Sequence, residues 1–184
     1  GTEELPADNV PVAQSQLGKY VIEALDSARI SHGEATLLAT PRRTAVLVKN
    51  VAPAQRDIDE MVKGPGAKAA FDKDGNPTQA AIGFAKRFGV DPKSLVVKEE
   101  AGGTYVYARK VEPGKPAIEA LAQTLPAAIS KITFEKTMRW NASNVAFARP
   151  INWIVALLGD QVIPFEFAGV PTGNTSAGPR GEGS

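Results

Sequence analysis

Cysteine is absent from the chain, and histidine occurs once, at His32. The first absence excludes disulfides, thiolate metal sites and a cysteine nucleophile, and leaves no sign of an oxidising compartment. The second leaves His32 without an imidazole partner for a metal site, so its place at a helix end reads as a cap on the helix dipole. An excess of one charge is lacking too. The 21 Lys and Arg stand against 20 Asp and Glu, a formal +1, so the molecule as a whole is no polycation and any hold on nucleic acid must come from a local patch. Long apolar runs are missing as well. Residues 151–158 form the longest, interrupted by Asn152 and far short of a membrane span, and no basic-then-apolar signal pattern opens the chain, so no membrane partner is expected.

What is present is ordinary globular composition: 184 residues, 43% hydrophobic and 22% charged, enough for one substantial core or two small modules. From Asn9 to Arg29 apolar residues recur at three and four, after the capping candidates Asp8 and Asn9. "EATLLAT" and "RTAVLVKNV" read as an antiparallel pair, and "RDIDEMVKG" as an exposed strand ending at Gly64-Pro65-Gly66. "TQAAIGFAKRF" predicts a second helix with a Thr78 cap and a stop at Gly89. "SLVVKEEAGGTYVYARKV" predicts a hairpin around Gly102-Gly103. Pro116 opens a third helix, with Pro126 inside it predicting a bend or an early stop. "NWIVALLG" and "QVIPFEFAGV" read as a last hairpin about Gly159-Asp160, buried on both faces, with Trp153 in the core. The expected fold is α+β, a mainly antiparallel sheet with about three helices packed on it. Residues 1–178 form one region, or two small subdomains, with a frayed tail over 179–184.

The motifs divide into bland and sharp readings. "GPGAKAAF" at 64–71 lacks the Gly-Lys-Ser/Thr ending of a phosphate loop, and a strand-to-helix turn explains it better. Glu3 and Glu4 read as solvated carboxylates or helix-dipole partners rather than an acid and base pair. Arg42 and Arg43 sit together where a strand begins, so their side chains point to opposite faces, one toward an acidic partner or a phosphate. "EKTMRWNASNVAFARPINW" at 135–153 puts Lys136, Arg139 and Arg149 beside Trp140 and Trp153. Core lining and surface charge explain this slightly better than a nucleic-acid platform on composition alone.

Taken in order, "GTEELP", "TPRRTAVLVKNVA", "KGPGAKAAFDKDGNPTQAAIGFAKRFGV", "KTMRWNASNVAFARPINWIVALLGDQVIPFEFAGV" and "TGNTSAG" resemble the N-terminal region of the β subunit of bacterial-type glycyl-tRNA synthetase. The resemblance covers nearly the whole chain. "FEKTMRWNASN" and "PFEFAGV" are closer to the organellar form of plants and algae, in which α and β regions are fused. The family has a short apolar strand before "GTEELP" that this chain lacks, which implies a piece of a longer polypeptide. It also follows "GNTS" with Gly-His-Arg-Phe where this chain reads "SAGPRGEGS". The resemblance implies a ligase that joins glycine to its tRNA at the expense of ATP, with the adenylate chemistry in the α region. It implies no catalytic residue, cofactor or metal in these residues. The implied partners are glycine tRNA and the catalytic α subunit or fused α region, within an oligomeric whole enzyme in a chloroplast or mitochondrion, or alternatively the bacterial cytoplasm. Lys136, Arg139, Trp140, Arg149, Arg42 and Arg43 become the candidate tRNA-binding residues.

Overall fold

The computed structural model describes residues 1–178, and the expected frayed tail over 179–184 lies outside the described residues. In chain order the elements are α1 (Asn9–Ser27), β1 (Ala35–Thr40), β2 (Arg43–Val48), β3 (Ile58–Gly66), α2 (Ala67–Ala70), α3 (Gln79–Phe88), β4 (Val96–Glu100), β5 (Gly103–Glu112), α4 (Ala117–Ser130), β6 (Ile154–Val155), β7 (Leu157–Leu158), β8 (Gln161–Val162), β9 (Glu166–Phe167) and β10 (Val170–Gly173). The class is α+β, and every strand pair but one is antiparallel. The chain forms two compact units, one from Gly1–Arg56 with the chain from Lys115 onward, the other from Asp57–Gly114.

In the first unit, α1 and α4 supply the core. Leu25, Ala28 and Ile30, at and just beyond the end of α1, pack with Ala117, Ala120, Leu121 and Ile163. The caps expected of Asp8 and Asn9 do not form: Asp8 is itself helical at φ −68 and ψ −22 and makes no side-chain cap. The chain turns into α1 through Pro6, whose carbonyl accepts the Asn9 N–H at 2.9 Å. α4 runs through Pro126 to Ser130, so the expected early stop does not occur. Buried Leu121 before the proline and buried Ala128 after it keep the helix packed on both sides, which outweighs one missing N–H.

The hairpin of β1 and β2 has the expected register, Ala35 opposite Val48 through Thr40 opposite Arg43. The last third departs from the single buried hairpin predicted above. Only β7 and β8 pair about Gly159-Asp160, while β6 runs parallel to β10 and β9 antiparallel to it. Pro164, with no N–H to give a ladder, follows β8 and redirects the chain. Burial is on one face: Ile154, Ala156 and Leu158 pack on the cores, whereas Val155 and Leu157 are 37% and 44% exposed. That alternation is the ordinary period of a half-buried strand.

The second unit is a three-stranded antiparallel sheet in the order β3, β5, β4, with α2 and α3 covering one face through Ala70, Ala81, Ala85, Val106 and Ala108. Thr78 does not cap α3 but donates its hydroxyl to the Ala69 carbonyl at 2.5 Å. The strand-to-helix passage expected over 64–71 is present: β3 ends at Gly66 and α2 begins at Ala67. Gly64 has a packing reason: a Cβ there would lie 2.5 Å from the Phe84 ring. On the sheet, Glu100 takes Lys63 at 2.5 Å and also accepts the Tyr107 hydroxyl. The Lys63 bond, then the Tyr107 bond, holds Glu100 below the usual carboxylate range.

His32 also departs from its expected role. Its Nδ1 faces the Gly33 carbonyl at 3.0 Å and its Nε2 faces Asp26 Oδ1 at 3.1 Å. It therefore meets a carboxylate of the last turn of α1 rather than the helix carbonyls. Only the doubly protonated ring donates to both oxygens, so the Gly33 carbonyl first and the Asp26 carboxylate second raise its pKa, against a smaller desolvation effect.

Two expectations follow from this packing. Replacing Gly64 by Ala forces the Phe84 ring to shift and should destabilise the chain by about 1–3 kcal/mol; in urea denaturation, Phe84→Leu added to Gly64→Ala should recover part of the loss. For His32, a raised folded pKa gives stability that is fully present below the unfolded value near 6.5 and is lost as pH rises through the folded value. Proton NMR titration should place the His32 midpoint above 6.5, Asp26→Asn should lower it, and the difference in melting temperature between the two proteins should shrink from acid to alkaline pH.

Candidate nucleic-acid interface

The stretch from Phe134 to Pro150 is a braced loop. Met138 and Phe147 exchange backbone bonds, with N–H of Met138 to the Phe147 carbonyl at 2.8 Å and the reverse bond at 3.1 Å. Phe147 is buried, with its ring edge-to-face against Phe134 at 4.9 Å. Within the loop Asn141 donates Nδ2 to the Ala168 carbonyl at 2.7 Å, and its Oδ1 accepts from Ser143 N–H at 3.1 Å and Ser143 Oγ at 2.6 Å. Asn144 takes a left-handed φ of 58, which asparagine tolerates better than most residues. The polar turn-formers between the two tryptophans thus hold a fixed backbone rather than coat a mobile one.

On this frame Arg139 is exposed and donates Nε to the Asn144 carbonyl at 3.1 Å, which fixes the plane of its guanidinium. Lys136 and Arg149 are exposed; Arg149 donates Nη1 to the Ala148 carbonyl at 2.9 Å. None of the three has an ion pair among the described residues. Trp140 is half-buried against Ile132, Phe147, Ile151 and Ala168, so much of its ring is engaged in packing. Arg42 stands at the tip of the β1–β2 hairpin and meets Glu4 Oε2 at 3.3 Å, with its side chain 37% exposed. Glu3 accepts from Asn152 Nδ2 at 3.1 Å, so these two carboxylates hold tertiary partners rather than a helix end.

The structure brings the hairpin tip and the loop's exit together through the first five residues. Thr2 N–H bonds the Arg42 carbonyl at 3.0 Å, Leu5 N–H the Pro41 carbonyl at 2.7 Å, and Glu3 N–H the Pro150 carbonyl at 2.9 Å. Sequence reasoning found the cations but not the Glu4 partner of Arg42. The acid lies 38 residues away, and no local pattern joins them.

Arg43 belongs to a different feature, an apolar cleft of about 1180 Å³ in the first unit. α1, α4, β2 and residues 153–158 line it, among them Leu17, Leu125, Val46 and Trp153. Trp153 is half-buried on this lining and not in a closed core as expected, because the apolar run that carries it has one face open. The Gly1 nitrogen donates to the Trp153 carbonyl at 2.9 Å. Among the described residues no group of His, Asp and Glu side chains is arranged to hold a metal ion. No helix there is long and apolar enough to cross a membrane.

The family model described as "Glycyl-tRNA synthetase beta subunit" matches residues 1–184. The chain is 46% identical over 184 residues to the glycine–tRNA ligase, chloroplastic/mitochondrial 2, of Arabidopsis thaliana, covering all of this chain and 17% of that protein. It is 46% identical over 180 residues to the glycine–tRNA ligase beta subunit of Desulfitobacterium hafniense, and 44% identical to that of Geobacter sulfurreducens. Each of these alignments covers 98% of this chain and 26% of the bacterial subunit. The chain therefore spans about a quarter or less of the length of the relatives it matches, and it belongs to the glycyl-tRNA synthetase beta subunit family.

Proposed function

We propose that this chain is a non-catalytic part of a glycine–tRNA ligase that grips the phosphate backbone of glycine tRNA and helps to assemble the β region with the catalytic α region. The whole enzyme charges tRNA with glycine at the expense of ATP, and these residues supply neither the adenylate chemistry nor a cofactor site. The observation that carries the tRNA reading is the braced loop with Lys136, Arg139 and Arg149 exposed and without acidic partners among the described residues. A guanidinium already fixed through Nε keeps its outer nitrogens for a phosphate and loses little rotamer freedom on contact. Arg42 is a weaker contributor because Glu4 already neutralises it, and Trp140, half-buried in core packing, is a poor stacking platform. The organellar relative and the bacterial ones support a chloroplast or mitochondrion, or a bacterial cytoplasm, as the compartment.

The assembly part of the reading draws on the apolar cleft and on the side chains open beside it. Leu38, Leu47 and Leu157 are 52%, 55% and 44% exposed, and apolar area left open on a folded unit favours a protein partner.

The two parts separate by experiment. If the loop grips tRNA, the folded Lys136→Ala/Arg139→Ala/Arg149→Ala variant should bind tRNA more weakly, with the slope of log affinity against log salt flattened by roughly two to three units and with no dependence on tRNA sequence. An unchanged slope in a variant with native circular dichroism leaves the loop without that role. For assembly, Leu47→Asp with Leu157→Asp should reduce co-purification with the α region while leaving tRNA affinity and thermal stability close to the parent's, since each residue is about half in water. Undiminished co-purification sinks the cleft as the contact.

A further inference from the structure

Three cations outside the loop are gathered by backbone pairing. Beyond the end of α1, Arg29 takes a left-handed φ of 56. Helices commonly end on such a residue, but it is usually Gly or Asn, so a long side chain held there is an outlier that asks for a reason. The Arg29 carbonyl accepts the Arg56 N–H at 2.9 Å, and Arg29 Nε donates to the Arg56 carbonyl at 3.2 Å. One residue earlier, Gln55 N–H bonds the Lys115 carbonyl at 2.9 Å, and Lys115 N–H bonds Gln55 Oε1 at 3.1 Å. Three segments far apart in the chain thus place Arg29, Arg56 and Lys115 in one small area of the first unit.

None of the three has an ion pair among the described residues. Asp26, the acid nearest to Arg29 in the chain, is bonded to His32 Nε2 at 3.1 Å. Attraction to the C-terminal end of the α1 dipole accounts for Arg29, but Arg56 and Lys115 are not on that helix. Arg29, half-buried, is bonded through Nε alone, so its two outer amino groups keep the donors of the fork that matches two phosphate oxygens.

We propose that Arg29, Arg56 and Lys115 form a second anchoring point for an RNA phosphate backbone, separate from the loop at 138–147. The inference rests on the reading of this chain as tRNA-binding, and it extends the footprint to cations that no motif marks.

The test is filter binding of a glycine tRNA transcript to this chain over a salt series, with Arg29→Asn/Arg56→Gln/Lys115→Gln beside the loop triple variant. Asparagine suits the left-handed position, so the fold should persist, checked by thermal melting. The expected result is a salt slope flattened by roughly two to three units, independently of the loop variant. If the triple variant melts early, Arg56→Gln/Lys115→Gln, whose side chains are exposed, replaces it with an expected flattening of about one to two units. A folded variant with unchanged affinity and slope overturns this second anchor while the loop's role stands. A parent chain that binds no tRNA overturns both.

Discussion

The segment Gly1–Leu5 is the clasp on which the first unit depends. Its backbone reaches the hairpin tip at Pro41 and Arg42 on one side and the strand-like run at Pro150 to Trp153 on the other. Each side chain has a defined place. Gly1 lies so close to the Trp153 indole that a Cβ would come within 2.0 Å of it. Thr2 bridges Ile151, Glu3 accepts from Asn152, Glu4 meets Arg42, and Leu5 is buried with Ala13 and Ala148. The blocks "GTEELP", "TPRR" and "RPINW", which carry the family resemblance, are distant in the chain and meet in this one place. A clasp of this kind fixes where Arg42 and Arg149 stand, so the geometry of the cations is a consequence of the fold's closure.

That closure is non-local and correspondingly demanding. The second unit is inserted between Arg56 and Lys115, so the core of α1 on α4 forms only after the chain has made a long excursion and returned. Closing a long loop adds only slowly to the entropy cost, about 0.6 kcal/mol per doubling of length, but it slows the search for the native pairing. The contacts that reward closure are modest one by one, because the cores are rich in alanine: Ala24, Ala28, Ala117, Ala120 and Ala128 in the first unit, Ala70, Ala81, Ala85 and Ala108 in the second. Small side chains bury little area each but let helices and strands approach closely, and backbone bonds between segments carry more of the specification than large apolar anchors do.

How far the sequence discloses this structure follows from the range of the interactions. The hairpins β1–β2 and β4–β5 were legible because alternation and a glycine-containing or proline-containing turn are local signals. The helices were legible because their apolar period is local too. The run from Trp153 to Phe167 was misread because its composition is continuous, whereas its pairing is decided by β10, whose Thr172 also ties the turn with its hydroxyl on the Ile163 and Phe165 carbonyls. The caps at Asp8 and Thr78 failed for a related reason, since Thr78 is drawn to the Ala69 carbonyl by tertiary packing. For the candidate interface, the residue types at 136, 139, 149, 42 and 43 were visible, but their partners were not. Whether a cation faces Glu4, a carbonyl or water depends on which distant segment lies beside it.

Partnering is also what reconciles a neutral molecule with a surface for a polyanion. With 21 basic and 20 acidic residues, a chain can attract a polyanion only where the two signs are sorted locally. Arg42, Lys63, Arg109 and Lys110 each meet a carboxylate, and Lys19 and Lys131 share Glu23; exposed pairs of this kind add little to stability and weaken the field each cation presents. Among the cations without an ion pair in the described residues, Arg29, Arg139 and Arg149 are instead bonded by their side chains to backbone carbonyls. A carbonyl orients a guanidinium without cancelling its charge, whereas a carboxylate does both. Two of these arginines, Arg29 and Arg139, therefore keep full positive charge in a fixed direction, and that combination separates an anchoring surface from ordinary solvated charge.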